Sequence, residues 1–171
     1  MPHGQELSYA VRTKVVCRFF GQFCLVLAVL TLVPLFVALI SSEMKQALNL
    51  AGVIFLLALI GGWLARLRTP SDVQHNEAVV LVALVFLIPV LMAFPLGAAG
   101  LSSIDAIFEA VSGVTTTGLT TLSTVEDKSV SFLFLRAWMQ WYGGLGIMVL
   151  SLAVLIQPGM TAKRLAVPGY E

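Results

Sequence analysis

Four apolar stretches, each long enough to cross a bilayer, constrain this chain more than any other feature. They are residues 19–40 ("FFGQFCLVLAVLTLVPLFVALI"), 48–65 ("LNLAGVIFLLALIGGWLA"), 78–100 ("AVVLVALVFLIPVLMAFPLGAAG") and 137–156 ("AWMQWYGGLGIMVLSLAVLI"), the last extended by 131–136 as its first turns. None of the quoted stretches contains Asp, Glu, Lys or Arg. A spanning helix needs roughly 17 to 25 such residues. A backbone in lipid must satisfy its own hydrogen bonds, so the runs predict α-helices. Charged residues make up 11% of the 171 residues, less than half of the roughly 25% usual in soluble domains. The class is an all-α membrane protein.

The first run has the basic lead-in of a secretory signal, Arg12, Lys14 and Arg18, but its 22 apolar residues exceed a signal core of roughly 7 to 15. It is read as a retained helix. With the N-terminus inside, seven of the ten basic residues (Arg12, Lys14, Arg18, Arg66, Arg68, Lys163, Arg164) fall on inner segments and three (Lys45, Lys128, Arg136) on outer ones. The positive-inside bias therefore predicts both termini in the cytoplasm and four full spans. The chain divides into a cytoplasmic segment 1–18, a helical pair 19–65, a cytoplasmic linker 66–77, a unit over 78–156 and a cytoplasmic tail 157–171. The linker carries the turn signal Thr69-Pro70-Ser71-Asp72. Pro34, Pro89 and Pro95 are expected to kink their helices, with neighbours taking up the freed carbonyls. Gly61 and Gly62 are read as packing residues, and Trp63, Trp138, Trp141 and Tyr142 as interfacial anchors or packing groups. Cys17 and Cys24 read as small residues on one helix face, with no metal-ligand spacing around them or around His3 and His75. A net charge of +1 without a Lys/Arg cluster excludes a nucleic-acid partner.

One segment does not fit a plain outer loop. Residues 102–122, "SSIDAIFEAVSGVTTTGLTTL", are largely apolar through Ile104, Ala106, Ile107, Phe108, Ala110, Val111 and Val114. Ser102 with Asp105 is a capping-box pattern, which predicts a helix to Ser112 stopped by Gly113. Ten residues reach about 15 Å, roughly half the hydrocarbon thickness, so such a helix in a membrane must turn back. A returning irregular strand is tolerated at that depth only where it is buried in protein or lines water. The stretch "TTTGLTT" follows. Its threonines favour extended backbone and Gly118 permits a positive φ. Successive carbonyls can then converge on a dehydrated cation, helped by the negative end of the helix dipole. From spacing alone two readings stand: a re-entrant pore helix with a filter at Thr115, Thr116, Thr117, Gly118 and Leu119, or an amphipathic surface helix with a Thr-rich loop.

The segment "DAIFEAVSGVTTTGLTTL" followed by "RAWMQWYGGLGIMVL" resembles the first pore repeat of the Trk/Ktr potassium-uptake family, in its TrkH-type membrane subunit. The resemblance implies an extra N-terminal helical pair, then outer helix, pore helix, filter and inner helix. It implies K⁺ uptake, with Na⁺ carried by some members. It places Thr116, Thr117 and Gly118 at the filter core, with Thr115 and Leu119 flanking it; a glycine at 118 goes with K⁺ preference. It also implies a bacterial inner-membrane location, a homodimer of full-length subunits and a cytoplasmic nucleotide-binding regulatory subunit. The family builds its pore from four joined repeats, and this chain carries one. It is expected to be part of a longer protein, part of a split one, or a protomer of a homotetramer. The rival from another class is a membrane fragment or assembly module without an ion pathway of its own.

Asp105 and Glu109 share a helix face. Asp105 reads as a cap, and Glu109 either as a buried hydrogen-bonding group or as part of an acidic vestibule. Nothing nucleophilic or metal-binding accompanies them, so an enzyme is not expected. Gly143, Gly144 and Gly146 of "GGLG" allow close helix packing or a gating bend. Arg136 is read as reaching the outer headgroups, with Glu126 or Asp127 as the alternative partner.

Overall fold

A computed structural model describes residues 11–70 and 73–155. His3, Ser71, Asp72, Ile156 and the tail with Lys163 and Arg164 lie outside the described residues. Every regular element of the described chain is a helix. It runs α1 (Thr13–Ile40), α2 (Met44–Ala65), α3 (His75–Leu87), a 3₁₀ segment (Ile88–Met92), α4 (Ala93–Gly97), α5 (Ser103–Val114) and α6 (Val130–Leu155).

Three stretches among the described residues are long and apolar enough to cross a membrane: Thr13–Ile40, Met44–Ala65 and Asn76–Gly97. The third runs through α3, the 3₁₀ segment and α4. Its α-helix gives way at Ile88–Met92, a segment with a proline in its first turn, because proline offers no amide and crowds the preceding turn. The fourth expected span corresponds to α6, whose 26 residues include Arg136 and Gln140.

α1 and α2 form an antiparallel hairpin with glycine at its closest points. A Cβ on Gly21 would lie 2.6 Å from Leu64 Cβ and 2.7 Å from the Ala65 amide nitrogen, and one on Gly61 would lie 2.8 Å from the Gly21 carbonyl oxygen. Gly61 is thus a packing residue. Among the described residues nothing lies within 4 Å of where a Cβ on Gly62 would be.

Pro34 sits inside a continuous α1. A proline there leaves the carbonyl four residues back, that of Leu30, without its intrahelical donor. The indole Nε1–H of Trp138 in α6 donates to that oxygen at 2.9 Å. Trp138 also stacks on Phe134 and Trp141, at centroid separations of 5.9 and 4.8 Å.

The ends of the hairpin are tied by polar groups. Arg12 donates from Nε and Nη2 to the two oxygens of Glu77, at 2.7 and 3.0 Å, and its amide donates to Oε1 at 3.0 Å. Arg18 Nη1 donates to the Thr69 carbonyl at 2.8 Å. At the other end, Glu43 precedes α2 and accepts from the hydroxyl and amide of Ser131 in the first turn of α6. A carboxylate there complements the exposed amides and dipole of a helix start. Burial raises the Glu43 pKa, but hydrogen bonds from the hydroxyls of Ser131 and Ser129 and the amides of Ser131 and Val130 outweigh it and hold the carboxyl below its ordinary value.

The core that positions the remaining elements contains Leu50, Leu57, Met92, Leu96, Phe132, Leu135 and Met139, all nearly inaccessible. Ala106 and Ala110 of α5 join it, which seats α5 against α4, the 3₁₀ segment and α6.

Candidate functional site

The site is built from α5, the loop that follows it and the first half of α6. Ser102 caps α5: its Oγ accepts from the Asp105 amide at 3.1 Å and donates to Asp105 Oδ2 at 2.6 Å. The acidic half of the expected capping box therefore meets the serine hydroxyl. α5 has 12 residues, so it is about 18 Å long at 1.5 Å per residue. It continues to Val114 rather than stopping at Gly113. Gly113 is buried, and a Cβ there would lie 3.3 Å from Met139 Cε.

The helix ends instead in the hydrogen-bond pattern of a Schellman motif. The Thr116 amide donates to Gly113 O and the Thr117 amide to Ser112 O, both at 3.1 Å. That motif needs one left-handed residue, and here it is Thr116, with φ +58°. A β-branched residue in this region is strained. Gly118, two residues on, has φ +74°, in line with the freedom read from the sequence. Thr115 Oγ1 donates to Val111 O at 2.8 Å and lies 2.8 Å from Thr117 Oγ1.

Beyond the glycine the loop is anchored to buried polar groups. The Leu119 carbonyl accepts from Ser112 Oγ at 2.6 Å and from Arg136 Nη2 at 3.0 Å. Glu109 is 0% exposed. Its Oε1 accepts from Thr120 Oγ1 and the Thr121 amide, both at 2.7 Å, and from Thr121 Oγ1 at 3.3 Å. Its Oε2 forms an ion pair with Arg136 Nε. A buried carboxylate is tolerable only with this kind of pairing.

These contacts decide one open reading and correct another. Of the two readings of Glu109, the buried hydrogen-bonding group is the one found; Asp105, four residues earlier, stays partly exposed at the cap. Arg136 does not reach for headgroups, Glu126 or Asp127; it turns into the site because Glu109 offers a desolvated opposite charge.

The glycines of α6 behave differently from one another. A Cβ on Gly143 would lie 2.0 Å from the Val114 carbonyl oxygen, so only glycine lets the end of α5 rest on α6. A Cβ on Gly144 would lie 3.5 Å from Thr116 Cγ2, and among the described residues nothing lies within 4 Å of one on Gly146. A Cβ on Gly118 would lie 3.7 Å from Gln140 Nε2, which puts Gln140 beneath the loop. Thr116, Thr117, Gly118 and Leu119 are exposed on the surface of this unit, and Thr115 is half-buried. Ser112, Gln140 and Arg136 are site residues missed by the motif reading. One signal could have found Arg136: it is the single charged residue of α6, and a lone ionisable group in an apolar helix calls for a partner.

Long apolar helices bracketing a short capped one define a multi-pass α-helical membrane protein. The chain belongs to the TrkH family of cation transport proteins, whose family model matches residues 44–167. The Trk system potassium uptake protein TrkI of Halomonas elongata is 38% identical over 144 residues, covering 82% of this chain and 29% of that protein. TrkG of Escherichia coli K12, also named a Trk system potassium uptake protein, is 30% identical over 157 residues, 89% of this chain and 32% of its own length. TrkH of Vibrio parahaemolyticus, of the same description, is 30% identical over 170 residues, 90% of this chain and 33% of its own length. The chain thus spans about a third of the curated relatives it matches.

Proposed function

We propose that this chain supplies one repeat of a monovalent-cation pathway, with K⁺ as the ion. Backbone carbonyls within Thr115–Leu119, centred on Thr116, Thr117 and Gly118, coordinate it. The observation that carries the reading is the contrast within one loop: an exposed, left-handed stretch at the C-terminal end of a half-length helix, followed by residues pinned to a buried ion pair. A 12-residue α5 reaches about half of a hydrocarbon layer of about 30 Å. Its outward face carries Ile104, Ile107, Phe108 and Val111, which suits lipid or protein better than water. In this reading α5 is re-entrant, α6 is the fourth crossing, and both termini are cytoplasmic in a bacterial inner membrane.

Positive φ at Thr116 and Gly118 turns the intervening peptide groups, and the negative end of the α5 dipole favours a cation there. The Leu119 carbonyl already accepts two hydrogen bonds, so it flanks the coordinating set. One repeat provides one side of a ring. The remaining sides come from further repeats, in a longer protein or in other copies. The relatives' naming as Trk system potassium uptake proteins supports K⁺ as the ion. Family resemblance supports a homodimer of full-length subunits and a cytoplasmic nucleotide-binding regulatory subunit.

The test joins this chain, in place of the matching third, to the rest of Vibrio parahaemolyticus TrkH in cells lacking K⁺ uptake. Growth at low K⁺ is expected, together with its loss in Gly118→Arg. Growth that survives Gly118→Arg overturns the filter assignment. A cytoplasmic signal from a reporter at 126 overturns the re-entrant placement.

A further inference from the structure

The geometry points to Glu109 and Arg136 as positioning residues for the filter. Their ion pair, reaching the loop through the Leu119 carbonyl and through Thr120 and Thr121, fixes the trailing end of the coordinating stretch and so sets the choice between K⁺ and Na⁺. This rests on the filter reading above.

Three side chains, two of them joined as an ion pair, hold the loop just after Gly118. Ser112 Oγ and Arg136 Nη2 both hold the Leu119 oxygen. Glu109 Oε1 holds the Thr120 hydroxyl and the Thr121 amide. Glu109 Oε2 holds Arg136 itself. The leading end is fixed by the Thr116 and Thr117 amides on Gly113 and Ser112. The intervening residues are therefore clamped at both sides, while their own outer faces stay exposed.

A buried ion pair is a poor way to gain stability, since an apolar pair of similar volume often does as well. What it offers is direction. A guanidinium has a fixed fork of donors, and this one spends one arm on the carboxylate and another on a loop carbonyl. A binding site works when its groups are held to within about 0.5 Å of the productive geometry by a supporting shell, and a carbonyl filter depends on how its oxygens are presented to the ion. Apolar packing, which has no preferred direction, does not orient a carbonyl. Glu109 thus acts on the ion through the loop without touching it.

Amide hydrogen exchange on the full 171-residue chain in lipid nanodiscs tests the clamp directly. Arg136→Gln is expected to speed exchange across 117–122 at least tenfold while α1 and α2 keep wild-type rates. Ser112→Ala, which leaves both charges in place, should give a smaller local increase of about threefold. Glu109→Gln with Arg136→Gln removes both charges, so no buried charge is orphaned; it should fold and still show the fast loop. Rates unchanged in the double variant, or raised equally in every helix, overturn the proposal. In the chimeric transporter, Arg136→Gln should lower the K⁺/Na⁺ uptake ratio at least fivefold, and Arg136→Lys should restore only part of it. An unchanged ratio also overturns the proposal. A chimera that carries no ion with the wild-type sequence counts against the filter reading, and the exchange rates then decide the clamp.

Discussion

The α1–α2 hairpin and the α5–α6 contact both depend on glycines at their closest approach, yet they are finished in different ways. In the hairpin, Gly21 and Gly61 let two apolar surfaces close, and the polar bonds of Arg12, Arg18 and Glu43 lie at its ends and lead to other elements. In the α5–α6 contact, Gly143 seats the end of α5, and a polar network of Ser112, Glu109 and Arg136 then governs the loop above it. Apolar closure fixes how far apart two helices lie. It leaves the orientation of individual peptide groups free, and a site that works through carbonyls needs that orientation. The comparison explains why a buried ion pair lies under the loop, whereas the hairpin's own charged side chains stay partly or fully exposed, and the buried Glu77 that meets Arg12 comes from α3.

The comparison breaks first at its glycines. Gly143→Ala places a methyl carbon on the Val114 carbonyl, against backbone that cannot swing aside, and should cost at least about 3 kcal/mol. Gly21→Ala meets the Leu64 side chain and the Ala65 backbone, and should cost about 2 kcal/mol. Gly146→Ala and Gly62→Ala, which meet nothing, should change stability by no more than about 0.5 kcal/mol. Thermal unfolding in detergent micelles ranks all four. A Gly21 cost larger than the Gly143 cost would reverse the assignment of the tighter contact.

The next effect lies at the joint between the two regions. Trp138→Phe keeps an aromatic ring for stacking but leaves the Leu30 carbonyl without a donor, and should cost about 1 to 2 kcal/mol. In a Pro34→Ala background, residue 34 regains an amide that can serve Leu30, so the same Trp138→Phe change should cost less than half as much. Equal costs in both backgrounds would remove the proline from the account.

The smallest effect is a pH dependence. The folded-state pKa of Glu43 is depressed, so its contribution is full above the unfolded carboxylate value of about 4.3 and fades as pH falls through the folded value. The contribution should be about 0.5 kcal/mol, typical of a charge at a helix start. Stability of the wild-type chain should therefore fall more steeply below pH 5 than that of Glu43→Gln. Parallel profiles would show that the carboxylate does not serve α6.

Much of the helix order was legible because burial in lipid demands long unbroken apolar runs, and three of these runs reappear as crossing-length helices. Ser102 announced the start of α5, and Gly118 its positive φ. Thr116 was not legible: β-branching argues for extended backbone, and only the closure of the Schellman bonds puts it in the left-handed region. The partner of Arg136 was hidden for another reason. Sequence near Arg136 offers Glu126 and Asp127, whereas the true partner is one helix away and becomes available only when Gly143 lets α5 descend onto α6. A glycine pair gives no sign of which member faces the neighbouring helix: Gly61 does, while Gly62 meets nothing among the described residues.

The bond from Trp138 to Leu30 has a consequence for biosynthesis. A ribosome releases α1 long before α6 exists, so the first helix enters the bilayer with one carbonyl still lacking a donor. That carbonyl gains its donor only when α6 arrives, which ties the insertion of α1 to the docking of α6.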